Sequence, residues 1–171
     1  MIPLTTAEVQ VWFLVHVGVL LVAAGWMTVS SLFLPGITGR AAVRLGRTPW
    51  TVFLAGLVVA LCAAVVITGL SIIPNPVTGF LALVFTVATV ILALAGSGGI
   101  VRTFAQGMVA AGERPQPTLL RRYGIALVIT LTWMLPIAGW FFALPLTLML
   151  GLGCFVFGCF PIKPPRMATT P

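Results

Sequence analysis

Residues 123–162 read YGIALVITLTWMLPIAGWFFALPLTLMLGLGCFVFGCFPI. As a single helix this stretch would be about 60 Å long, twice the hydrocarbon thickness of a bilayer. Pro136, Gly139 and Pro145 fall near its middle. Proline removes a helical N–H and clashes with the preceding turn, so a tight helical hairpin is expected, leaving at about 123–141 and returning at about 144–161. The returning arm, rich in glycine and cysteine, is expected to be the short one.

Three further uncharged stretches, at about 9–34, 50–73 and 79–101, are each long enough to cross a membrane. Apolar residues make up 60% of the chain and charged residues 6%, and the mean hydropathy is +1.20, which no soluble globule of this size would tolerate. A lipid-facing backbone has no water to bond, and the alternation of a membrane barrel is lacking, so continuous apolar runs must be helices. The fold expected is all-α: a polytopic transmembrane helical bundle of four long spans, with the last run a hairpin that adds a fifth short or re-entrant span. Residues 1–162 would form one transmembrane domain, and 163–171 a short cytoplasmic or disordered tail.

Local signals mark the helix starts. Thr5 and Glu8 have capping-box spacing, while Thr48 before Pro49 and Asn75 before Pro76 pair a capping side chain with a proline at the first helical position. Thr118 is a further candidate cap, and Gly112, Pro115 and Pro117 end whatever precedes them. The third helix is expected to run past Arg102 to about Ala111. Its extension would carry Phe104, Met108 and Ala111 on one face and Arg102 and Gln106 on another.

Orientation follows from the arginines. Arg40, Arg44 and Arg47 lie in the first connection and Arg102, Arg114, Arg121 and Arg122 around the third, whereas PNPVT at 74–78 is uncharged. Both basic connections belong in the cytoplasm, with the N-terminus outside. The hairpin also returns Lys163 and Arg166 to that side, which a four-span chain would not. Every basic residue flanks a span, so the net charge of +7 speaks for anionic head groups and not for nucleic acid. The first segment lacks a basic n-region and is too long for a cleavable signal, so it is expected to remain as an anchor.

Small residues indicate where helices meet. Gly56 with Ala60 and Ala64, Ala95 to Gly99, and Gly151 with Gly153, Cys154 and Gly158 have small-x-x-x-small spacings. They serve contacts within the chain or docking of another subunit. Cys62, Cys154 and Cys159 lie in apolar spans without a C-x-x-C spacing, which fits small buried residues and no disulfide framework or zinc site. Cys154 and Cys159 would point about 140° apart on a helix.

One residue stands out chemically. His16, in VWFLVHVGVLL at 11–21, is the only histidine, set some 7 Å from the midplane of the first span. No lysine, arginine or carboxylate lies within any span, so charge-based ion pathways have no candidate residues. Catalytic triads, paired carboxylates and phosphate loops are missing too, which points away from an enzyme. His16 could bond a neighbouring helix, through a hydroxyl such as Thr28 or backbone freed near Pro136. It could also handle protons, or serve as the axial ligand of a metal or tetrapyrrole. A six-coordinate haem would need a second ligand, such as Met27 or Met134, or one from a partner; a chlorophyll-type magnesium would need none. Trp12, Phe13 and Trp26 could pack against a macrocycle, although Trp12, Trp50 and Trp140 also suit the membrane interface.

FLVHVGVLLVAAGW (13–26), VVITGL (65–70), LLRRYG (119–124) and PIKP (161–164) occur in an order that resembles small bacterial integral membrane proteins of the DUF2269 type, relatives of the membrane domain of copper-resistance protein D. The resemblance implies a compact helical bundle in a bacterial inner membrane and a metal or haem connection at His16. The chain departs from it in lacking further histidines and Met-rich clusters, which argues against copper transport. Two functions therefore stand side by side. One is a non-catalytic subunit or scaffold of a larger membrane complex, in contact with lipid and with other subunits or copies of itself. The other is a haem-, chlorophyll- or metal-binding protein centred on His16.

Overall fold

The computed structural model describes residues 6–110 and 118–160. Among them every regular element is helical: α1 (Thr6–Phe33), α2 (Pro35–Arg47), α3 (Pro49–Ile72), α4 (Pro76–Ala110), α5 (Leu119–Thr132) and α6 (Leu144–Cys159), the last entered through a π-helical turn at Gly139–Ala143. Four segments are long and apolar enough to cross a membrane: Glu8–Phe33, Pro49–Ile72, Pro76–Val109 and Gly139–Cys159. The protein is an integral membrane helical bundle. Thr5, Ala111, Gly112, Arg114, Lys163, Arg166 and the tail lie outside the described residues.

Proline sets the helix starts. Pro35, Pro49 and Pro76 each open a helix, where the missing N–H has no intrahelical partner to lose. Asn75 caps α4 as its position suggests, its Oδ1 accepting the Val77 N–H at 2.9 Å. Thr48 does not act in this way: its hydroxyl turns back to donate to the Arg44 carbonyl at 3.3 Å. Thr118 likewise makes no side-chain cap on α5.

The hairpin forms, but its arms are the reverse of the sequence expectation. The first arm, α5, has 14 residues and reaches about 21 Å, whereas the second, Gly139–Cys159, has 21 residues and reaches about 31 Å. Pro136 is responsible, because it ends helical bonding soon after Thr132 and so shortens the arm before it. The chain turns through three-residue bonds, Trp133 N–H to Thr130 O at 3.0 Å and Met134 N–H to Leu131 O at 3.0 Å. Gly139 packs against this turn, where a Cβ would meet the Thr132 and Trp133 carbonyls.

Residues 35–48, expected as a connection, are also different: most of them form α2. Thr38, Ala41 and Ala42 make its buried face, which lies against α4 and α6. The arginines of α2 do more than set orientation. Arg40 Nε donates to the Gly158 carbonyl at 2.7 Å, satisfying a last-turn acceptor of α6 that has no helical N–H of its own. The Arg44 guanidinium lies over the Phe157 ring at 5.3 Å. From α4, Arg102 Nη1 donates to the Pro35 carbonyl at 3.0 Å. Arg40, Arg44, Arg47, Arg102, Arg121 and Arg122 thus share one end of the bundle, the arginine end.

At the centre α6 runs antiparallel to α3 and parallel to α4. A Cβ at Gly56 would overlap the Met149 carbonyl, one at Gly153 that of Val52, one at Gly96 that of Gly151, and one at Gly151 that of Ala93. Between helices already surrounded by hydrocarbon, close backbone approach and dense packing supply the attraction that water exclusion supplies elsewhere. Gly99 meets Ala41, Gly158 meets Ile37 and Ala95 is buried, while Ala60 is half-buried. These small residues contact this chain's own helices. Buried side chains, among them Met27, Val52, Val101 and Cys154, gather in the half of the bundle nearer the arginines. Most of α1 before Leu20, of α3 after Val58 and of α4 before Ala93 is exposed.

Gly56→Val and Gly96→Val should each destabilise the detergent-solubilised bundle by about 3 kcal/mol or more, because the neighbour to be moved is backbone. Gly69→Ala, whose Cβ would meet nothing within 4 Å, should change stability by less than about 0.5 kcal/mol. Thermal unfolding of the three variants checks the contrast.

Candidate functional site

The α5–α6 turn sets the level of the site. Trp133, the first residue after α5, is buried, and its Nε1 donates to Thr147 Oγ1 of α6 at 3.1 Å. The Thr147 hydroxyl donates in turn to the Ala143 carbonyl. On α4 the Ser97 hydroxyl donates to the Ala93 carbonyl at 2.9 Å and lies 3.4 Å from the Thr147 carbonyl. This polar chain fastens the turn to two spans at a depth where unsatisfied groups would be costly. Among the described residues no buried side-chain polar atom lacks a hydrogen bond.

α5 packs antiparallel along α1, so the turn after α5 reaches the level of His16. There a cleft of about 360 Å³ opens, lined by His16, Leu20, Trp133, Met134, Trp140 and Leu144 among others. His16 itself is exposed on the surface of α1. Its Nδ1 lies 2.8 Å from the Trp12 carbonyl of the same helix. A carbonyl can only accept, so Nδ1 carries a proton, and in the neutral ring Nε2 then presents its lone pair. Metal-binding histidines are commonly oriented by such a backbone bond from the other ring nitrogen.

The residues singled out from sequence are only partly brought together. Trp12 stays beside His16, ring centroids 6.2 Å apart and planes tilted by 50°. Trp26 is about 15 Å further along α1 and does not line the cleft. Met27 is fully buried in the core with Ala24, Val101 and Ala126, leaving Met134 as the thioether that shares the cleft with His16. Thr28 is no partner for the imidazole, since it is buried and donates to the Ala24 carbonyl at 2.8 Å. Among the described residues no group of three or more His, Cys, Asp or Glu could hold a metal ion. The metal-binding side chains that line this cleft are one imidazole, His16, and one thioether, Met134.

Sequence reasoning does not single out Trp133 or Thr147. Trp133 lies three residues before Pro136, and that proximity to the helix break is the signal that marks it. Its partner could not be read without the hairpin register. Compared with known protein families, curated proteins and solved structures, the chain matches none of them.

Trp133→Phe and Thr147→Val should each loosen the turn. A double-mutant cycle read by thermal unfolding should return a coupling of about 1 kcal/mol, the scale of side-chain hydrogen bonds within membranes. Additive effects would mean that the bond contributes nothing.

Proposed function

We propose that the protein is a non-catalytic subunit or scaffold of a larger membrane assembly, and that it engages that assembly through the His16 cleft. The observation that carries this reading is an imidazole on the exposed surface of an apolar helix, with Nδ1 already bonded and Nε2 available. Ionisable and polar groups at membrane depth ordinarily face a protein interior or a partner group, because hydrocarbon offers neither donor nor acceptor. A donor from a neighbouring helix would complete His16, and the surrounding indoles and aliphatic side chains would pack against it. The arginine end is assigned to the cytoplasm and the N-terminus to the outside, in a bacterial inner membrane.

A second reading is favoured by the cleft's composition. His16 Nε2, the Met134 thioether and the rings of Trp133 and Trp140 border one opening, which is the chemistry that a haem or chlorophyll-type tetrapyrrole would use. A bound tetrapyrrole would bring the redox or light-absorbing chemistry. The protein's part would be to ligate and orient it and to exclude water.

Native mass spectrometry of the gently solubilised protein, with an absorption spectrum and metal analysis of the same sample, separates the readings. A colourless, metal-free protein that carries a stoichiometric membrane subunit, released by His16→Ala with about a fivefold weaker association, is the expected result. A Soret or red band that His16→Ala abolishes would replace it with the tetrapyrrole. A colourless, metal-free monomer indifferent to His16→Ala would overturn both.

A further inference from the structure

The His16 cleft presents one open acceptor. With Nδ1 held by the Trp12 carbonyl, the neutral ring accepts at Nε2 and cannot donate there. Trp133 lines the same cleft, but its indole N–H is committed to Thr147. Among the described residues no group donates to Nε2. Hydrocarbon offers an acceptor nothing, so a small molecule that fills it has to be soluble in the bilayer and has to carry a donor.

The walls narrow the choice further. The indoles of Trp133 and Trp140 and the Met134 thioether border the same opening as His16, and these are surfaces on which a flat ring packs. The remaining lining, Val19 and Leu144 among it, is aliphatic, so an ionised ligand would find no counter-charge. At about 360 Å³ the cleft has room for a substituted ring, since a cavity of about 150 Å³ accepts benzene.

We propose that this cleft binds a lipid-soluble quinol, its ring against the two indoles and one phenolic hydroxyl donating to His16 Nε2. The hydrogen bond selects the redox state: a quinol hydroxyl donates, whereas the carbonyls of the quinone only accept and would face a lone pair. Binding involves no electron transfer, in keeping with a non-catalytic protein. The inference rests on the proposed function's reading of Nε2 as the open acceptor and adds regulation to it. A quinol hydroxyl and a partner helix's donor compete for one lone pair, so quinol occupancy opposes docking through the cleft.

The test uses the full-length protein, purified without partners into lipid nanodiscs and labelled for nitrogen NMR at histidine. His16 is the only histidine, so the Nε2 resonance is unambiguous. The probes are duroquinol kept reduced under nitrogen, duroquinone, and the dimethyl ether of duroquinol, which keeps the ring and loses the donors. Duroquinol should move the Nε2 resonance saturably and bind about fivefold or more tightly than either control, the factor expected of one hydrogen bond at membrane depth. Val19→Trp and Met134→Trp fill the cleft from exposed positions on α1 and on the turn. Each should abolish the response while His16 remains, and having two keeps a folding defect in one from deciding the matter. The proposal is overturned if Nε2 ignores duroquinol, if duroquinone or the ether moves it equally, or if both filling variants respond like the wild type. An Nε2 indifferent to duroquinol in a protein whose His16→Ala variant still loses its partner subunit sinks this inference and leaves the proposed function standing. A responsive Nε2 in a protein whose assembly ignores His16→Ala does the reverse.

Discussion

The bundle depends on the approach of α6 to α3 and α4 at backbone distance. Gly151 and Gly153 turn their Cα atoms toward the carbonyls of Ala93 and Val52, while Gly56 and Gly96 receive the carbonyls of Met149 and Gly151. In hydrocarbon a leucine gains nothing by leaving lipid for another leucine, so attraction has to come from atoms brought closer than side chains would permit. Once α6 is seated between its neighbours, the preceding chain must reach its start by way of the Trp133–Ala138 turn. That requirement brings α5 alongside α1.

The same seating explains the unequal ends of the molecule. At the arginine end α2 folds back across α4 and α6, and Arg40, Arg44 and Arg102 tie it down by a carbonyl bond, a ring contact and a second carbonyl bond. All three thereby keep a charge near the membrane surface, and Arg40 in addition directs a donor at a last-turn carbonyl of α6. Toward the other end most of the long helices' residues are exposed, and the Trp133–Thr147–Ser97 chain fastens the hairpin turn there. His16 sits at that level, between the packed half and the open half.

α5 is too short to cross the bilayer by itself, yet it borders two openings. On one side its end contributes Trp133 and Met134 to the His16 cleft. On the other, its first turns contribute Arg121 and Gly124 to a groove against α4. A helix that packs mainly on one neighbour leaves space at its other flank. The residues bordering that space are mostly apolar, Phe104 and Met108 from α4 and Ile125, Val128 and Ile129 from α5.

Much of this was legible in the sequence, for a physical reason: a membrane permits few backbone solutions. Uncharged runs of sufficient length had to be helices, Pro49 and Pro76 had to begin them, Pro136 and Gly139 had to bend the last run, and the arginines had to collect at one end. The glycine spacings likewise marked packing faces, though not which of them would meet. What remained illegible were relations between distant segments. Pro35 and the i, i+3, i+4 spacing of Thr38, Ala41 and Ala42 are compatible with a helix over residues 35–47, but nothing local indicates that Gly158 anchors it. Nor does local spacing show that Pro136 shortens the first hairpin arm and not the second. Which residues share the cleft with His16 was decided by tertiary structure, because the register of α1 against α5 brings Trp133 and Met134 there and leaves Met27 in the core. Periodicity determines which side chains share a helix face, but only the packing of α6 against its neighbours determines which faces meet.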